Sequence, residues 1–244
     1  MRFRSPLLQG ANQVPPSPVV KSVRPARERS SIAPSSPPKS EAPPLQRATL
    51  SPPAQREPAL GSKAKGINFT TVLAAVKELH GAEALERARA ALPGDVGNAL
   101  RYGGLVVGGW YPIEWYVELW NTLQAQLDLD EVKARAIGVC AARIGVNRVY
   151  RVFSRLASPS TLLRVAGAAF SSYFDTGEIR VSADGSKALI AEWSGCSGFN
   201  SLLWADSLGG AEYFLSATGV SEVKVHVLRG GGDQDWLVAR GTWR

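Results

Sequence analysis

Gly177-Glu178-Ile179-Arg180-Val181-Ser182-Ala183-Asp184-Gly185-Ser186-Lys187-Ala188-Leu189-Ile190-Ala191-Glu192-Trp193 is the stretch on which the fold class turns. Ile179 and Val181 alternate with more polar neighbours, the period of a half-buried strand, and run into Asp184-Gly185, a strong signature of a tight hairpin. Leu189, Ala191 and Trp193 resume the alternation on the return strand. Downstream, a helix is predicted from about Phe199 to Ala217, stopped by Gly219. Val223, Val225 and Val227 then alternate into Gly230-Gly231-Gly232-Asp233, and Leu237, Ala239 and Trp243 alternate out of it. The C-terminal third thus reads strand–strand–helix–strand–strand, an antiparallel ββαββ layer.

Upstream of Gly177 the apolar spacing is helical instead. Ser158-Pro159 pairs a cap with a proline at the first helical position and opens a helix carrying Leu162, Leu163, Ala166, Phe170 and Tyr173. Val149, Val152, Phe153 and Leu156 mark another amphipathic stretch. Asp128 or Asp130 can cap a helix with Val132, Ala136, Ile137 and Cys140 on its apolar side. Tyr116, Leu119, Trp120, Leu123 and Leu127 share one face of a helix opening at Pro112, after the break at Gly108-Gly109-Trp110-Tyr111-Pro112. Short helices are expected over Asp95–Tyr102 and Ala82–Leu92. The first helix, capped by Asn68, carries Phe69, Val72, Leu73, Val76 and Leu79 and stops at Gly81. Helices followed by a sheet layer define an α+β fold, placed as a single domain over residues 66–244.

The first 65 residues are of a different kind. They hold thirteen of the 16 prolines and ten serines, and eleven of the 28 Lys/Arg against only three of the 21 Asp/Glu. Such a segment buries too little apolar surface to offset the entropy of ordering its backbone, so residues 1–65 are read as a disordered, basic Pro/Ser-rich tail. The whole excess of +7 lies there, and the remainder of the chain is close to neutral and is no basic platform for nucleic acid. Two PxxP matches (Pro15 to Pro18, Pro34 to Pro37) and four Ser-Pro pairs (Ser5, Ser17, Ser36, Ser51) fit a solvated linker or a regulated one, in which phosphates of about −2 each would neutralise the basic charge. Arg24, Arg27, Arg29 and Lys39 are the residues through which the tail would recruit a partner or make weak, salt-dependent contact with a polyanion. No stretch has the eighteen or so continuous apolar residues of a membrane span. Two cysteines, Cys140 and Cys196, far apart in sequence, suit reduced thiols, and the expected location is cytoplasmic.

Catalytic patterns are missing. His80, in the last turn of a helix, and His226, on a predicted strand, are the only histidines and read as solvated residues. Gly195-Cys196-Ser197-Gly198 lacks the spacing and the strand context of a nucleophile elbow. The glycine runs have no Lys-Ser/Thr behind them to cradle phosphate, and Asp128-Leu129-Asp130-Glu131 lacks the alternating oxygens of a calcium loop. No catalytic residue, metal site or cofactor is therefore assigned. Aromatic density is the feature that stands out: Trp110, Tyr111, Trp115, Tyr116 and Trp120 lie within eleven positions. Such a cluster can be core or can line an apolar pocket. With Phe170 and Tyr173 these residues are the candidate walls of a ligand site.

Three stretches carry a family resemblance: Gly108-Gly109-Trp110-Tyr111-Pro112, Tyr150-Arg151-Val152-Phe153 with Ser158-Pro159-Ser160, and Ser172-Tyr173-Phe174-Asp175-Thr176-Gly177. Residues 66–244 resemble a family abundant in myxobacteria that is defined as a domain of unknown function. The layout is also similar to the haem-nitric-oxide-binding, vinyl-reductase-like and vesicle-tethering small domains, and that similarity implies a ligand-holding architecture. Haem sensors of this type use Tyr-x-Ser-x-Arg and a proximal His. Tyr150-Arg151-Val152-Phe153-Ser154-Arg155 has a different spacing, so the resemblance does not imply haem here.

The function expected is a non-enzymatic sensory or adaptor module that binds a small apolar ligand or a partner protein, with the tail used for recruitment or regulation. A homo-oligomeric scaffold, such as a homodimer whose tail contacts nucleic acid or lipid, and a hydrolase with an unrecognised site are the alternatives.

Overall fold

The computed structural model describes residues 61–148 and 158–244. Arg24, Arg27, Arg29, Lys39 and the amphipathic stretch at Val149–Leu156 lie outside the described residues. Among the described residues, six helices and six strands follow in the order β1 (Lys63–Lys65), α1 (Gly66–Ala91), α2 (Gly94–Arg101), β2 (Trp110–Pro112), α3 (Ile113–Leu127), α4 (Glu131–Arg148), α5 (Pro159–Ser171), β3 (Glu178–Ala183), β4 (Ala188–Ser194), α6 (Ser201–Ser216), β5 (Lys224–Gly230) and β6 (Leu237–Thr242). The class is α+β, helices first and then ββαββ.

The C-terminal strands form one antiparallel sheet of order β3-β4-β6-β5, so each hairpin gives one strand to the centre and one to an edge. The β3–β4 hairpin closes over Asp184-Gly185, where Gly185 takes φ +91, a conformation glycine adopts without a Cβ clash. Register puts Ile179 opposite Trp193, Val181 opposite Ala191, Ala191 opposite Ala239 and Leu189 opposite Gly241, so the apolar residues share one face. The central strands β4 and β6 are largely buried and the edges are not. On β5 only Val225 is buried; Val227, expected inside, lies beside a bulge that breaks the register, and is exposed.

α6 crosses between the two hairpins. Asn200 caps it, its side-chain oxygen accepting from the Leu203 N–H at 3.0 Å. Buried residues point from α6 both toward α4 and toward the sheet, which makes it the central helix of the domain. α4 presents Ala134, Ile137, Gly138, Ala141 and Ile144 to the interior. Of the expected face, Ile137 and Cys140 are buried, whereas Val132 and Ala136 are exposed. Small residues win the inward positions because α4 and α6 approach backbone to backbone: a Cβ on Gly138 would stand 2.4 Å from the Asp206 carbonyl oxygen. Asp130 caps α4 by accepting the Lys133 N–H.

In α1, Gly81 takes a non-helical conformation (φ 90, ψ 167) that divides the element into two helical segments, so the first stops where expected, and the second buries Ala84, Leu85 and Ala88. Leu79, just before the bend, points to solvent instead of the core. Asn68 does not cap this helix. The chain enters it from β1, the Gly66 N–H is taken by the Gly109 carbonyl, and the buried Asn68 amide donates to the Tyr173 carbonyl at 2.9 Å.

The β1–β2 pair has no counterpart in the sequence reading. Ala64, fully buried, pairs with Tyr111 and bridges to Phe174. The Ile113 N–H donates to the Ser62 carbonyl, and the Lys65 N–H donates to the Tyr173 carbonyl. Three residues of strand thus join the loop before α3 to the segment after α5. Among the described residues, no helix is long and apolar enough to cross a membrane.

Candidate functional site

Small residues at successive inward positions leave a gap in the core. On the sheet, Ala191, Ala239 and Gly241 lie side by side in the central strands; above them α4 offers Gly138, Ala141 and Ala142, α5 offers Ala166 and Ala169, and α6 offers Gly210 and Ala211. Between these elements lies a cavity of about 170 Å³, flanked by Phe170, Phe174, Trp193, Phe214 and Leu215. Protein interiors normally leave no such space. An apolar cavity of ~150 Å³ is enough to take up benzene.

Leu162, Val165, Ala166, Ala169 and Phe170 recur at helical spacing along α5, and all line the cavity. These residues stay half-buried, and α5 contains no fully buried residue at all. Its apolar face meets the void and the edge strand β3, with Leu162, Leu163 and Phe170 partly buried against the core.

A few polar groups interrupt this apolar wall, chief among them an acid and a phenol. The Tyr116 hydroxyl, from α3, donates to Asp206 Oδ2 of α6 at 2.7 Å. Burial pushes the Asp206 carboxyl up to about 7, and the Tyr116 hydrogen bond only partly opposes this. Asp206 is only partly buried, since its side chain faces the cavity. Burial likewise raises the Tyr116 phenol well above its ordinary value, helped by the Asp206 charge. The Trp120 indole N–H pulls the phenol the other way, yet reaches hydrogen-bond geometry with no acceptor among the described residues. Thr71 donates to the Ile67 and Asn68 carbonyls. The Ser207 hydroxyl, buried beside Asp206, has no hydrogen-bond partner among the described residues.

Of the seven aromatic residues singled out in the sequence, Tyr116, Phe170 and Tyr173 line the cavity. The other four lie elsewhere. Trp120 is fully buried, edge-on to Tyr116. Tyr111 stacks on Trp115, and its hydroxyl accepts the Val106 N–H and donates to the Gly104 carbonyl, pinning the loop before β2. Trp110 is 40% exposed under the Lys65 ammonium. His80 and His226 are exposed, and Cys140 and Cys196 are buried free thiols. Burial, with the Asp235 charge, pushes the Cys196 thiol up to about 12. Asp206 and Ser207 were not singled out. The available signal was an aspartate inside the apolar run Leu202-Leu203-Trp204-Ala205-Asp206-Ser207-Leu208.

This architecture is that of the H-NOX domains, the haem-nitric-oxide-binding class to which the layout is similar. An iron(II), unliganded H-NOX variant from K. algicida superposes with a TM-score of 0.58 at 14% identity, over 74% of this chain and 96% of that one. An oxygen-binding H-NOX domain related to soluble guanylate cyclases, in its oxygen complex, gives a TM-score of 0.57 at 10% identity, over 74% and 95%. No family model matches the sequence, and no curated protein is significantly similar to it. Identities this low establish the shared fold and nothing further.

The cavity does not suit haem. Haem iron takes a His, Cys, Met or Tyr ligand. The described lining contains no His, Cys or Met, and no Lys, Arg or His that would stabilise a phenolate or hold propionates. The Tyr116 phenol is held protonated and donates to Asp206.

Proposed function

We propose that residues 66–244 form a non-catalytic sensory domain that binds a small, largely apolar ligand between α4, α5, α6 and the sheet. The observation that carries this reading is the cavity of about 170 Å³, built from small residues contributed by three helices and two strands. Larger side chains at a few of these positions would fill it, so a core selected for stability alone would have no such gap. α5, whose apolar face is only half-buried, is the element a ligand would tighten, and its movement is the signal. The shared H-NOX architecture supports a ligand-binding reading, since one such neighbour is an oxygen-binding domain. The ligand class differs, because the described lining offers no His, Cys or Met for haem iron and no cation for its propionates. In this reading the basic segment before the domain recruits a partner.

Toluene and indole test the proposal as single-ring probes. Either should raise the melting temperature in a dose-dependent way, by about 2.7 kcal/mol of added stability at a hundredfold excess over Kd. Ala191→Leu, which fills the floor of the cavity, should remove the response while leaving the protein folded. Absence of a shift with either probe on the unaltered protein would overturn the reading.

A further inference from the structure

Asp206 is the only carboxylate in the described lining, and no basic residue accompanies it. Tyr116 engages Oδ2; the second carboxyl oxygen has no hydrogen-bond partner among the described residues. Beside it, the buried Ser207 hydroxyl also has no partner. Arg135, the basic residue α4 directs toward α6, is committed elsewhere: it forks onto Glu212 at 2.7 and 3.1 Å and donates to the Val225 carbonyl. The rings of Phe170, Tyr173, Phe174, Trp193 and Phe214 surround the same space.

A buried acid with a free oxygen, an adjacent unsatisfied hydroxyl, aromatic walls and no resident counter-ion are complementary to one kind of group. An ammonium offers three donors and a positive charge. It can give one hydrogen bond to each of the two free oxygens and turn its remaining face to a ring, which attracts cations. Resting on the reading of the cavity as a ligand site, we infer that the ligand is an amphipathic amine: an apolar body about the size of one ring, bearing a single protonated nitrogen that pairs with Asp206. A ligand carboxylate would bring like charge to Asp206. A neutral alcohol would leave the carboxyl to be neutralised by a proton.

Benzylamine, benzyl alcohol and toluene share a ring and differ at the substituent. Calorimetric titration of each into the full-length protein at pH 8, where Asp206 is ionised, should show benzylamine binding at least about tenfold tighter than benzyl alcohol, the difference expected of a charge-assisted over a neutral hydrogen bond. The preference should shrink at pH 6 as Asp206 takes up its proton. The other titratable groups facing it are the phenols Tyr116 and Tyr173, while the cavity-lining residues of α4, α5 and the sheet add none. Asp206→Asn, nearly isosteric, should erase the preference for benzylamine over benzyl alcohol. If toluene binds but benzylamine binds no better than benzyl alcohol, the amine assignment is wrong and the cavity reading stands. If the Asn variant keeps the preference, the charge pairing is likewise wrong. If none of the three binds, both readings fall together.

Discussion

Asp206 shows what a single residue can do to an interior. A carboxylate among apolar groups loses its hydration, and the one hydrogen bond from Tyr116 replaces only part of it, so the acid form is favoured on folding. The carboxyl titrates near 3.8 when the chain is unfolded and near 7 when folded. The native state therefore binds the extra proton. The stabilisation is complete below about pH 4, falls away as pH rises toward 7, and is absent above it. A gap of that size corresponds to at most about 4 kcal/mol, less whatever hydration the cavity supplies. Urea midpoints measured from pH 4 to pH 8 should accordingly decline more steeply for the native sequence than for Asp206→Asn. Parallel profiles would mean that Asp206 stays ionised in the folded protein.

At the scale of elements, the α4–α6 crossing positions Asp206. A Cβ on Gly209 would lie 2.3 Å from the Arg135 carbonyl oxygen and 2.8 Å from the Val139 nitrogen, both backbone atoms that cannot step aside. Gly209→Ala should therefore destabilise by about 1–3 kcal/mol through overpacking, even though alanine is the better helix former. Gly210, the next residue, has nothing within 4 Å of a Cβ, so Gly210→Ala should be neutral or stabilising by up to ~1 kcal/mol. Equal effects in thermal unfolding would mean that helix propensity, not contact, governs the crossing. This pair also marks where sequence reading stops. The hairpins were legible because alternation and Asp184-Gly185 are local signals, and α3 because Tyr116, Leu119, Trp120 and Leu123 repeat on one face. The rotation of α4 was not legible, since Val132 looks like a core residue and Gly138 does not. For the same reason the cavity escaped notice. Alanine and glycine in a pattern read as helix formers or breakers, and only the fold reveals that ten of them converge on one space. β1 escaped because Lys63-Ala64-Lys65 has one apolar residue and no period; its pairing with β2 spans almost fifty residues.

For the molecule as a whole, the question is where the folded part starts. Composition places the change near residue 66, yet the ordered contacts reach further back. Ala64 is fully buried, its neighbours give and receive hydrogen bonds from the Tyr173–Asp175 segment, and Ser62 accepts from the first residue of α3. β1 is thus the clasp between the end of α5, which lines the cavity, and the start of α3, which carries Tyr116. Two truncations separate charge from fold. Removing residues 1–60 takes away most of the excess positive charge and should leave the melting temperature within a degree or two, as expected for a segment that buries little. Removing residues 1–65 takes β1 as well. It strips the Ala64 packing and at least three inter-element hydrogen bonds, each worth about 1 kcal/mol, from a domain whose total stability is only about 5–15 kcal/mol. The shorter chain should melt many degrees lower and lose the toluene response with it, because α3 and α5 are no longer held together at the cavity. If both truncations melt alike, β1 is an ornament on the domain, and the boundary belongs where composition first drew it.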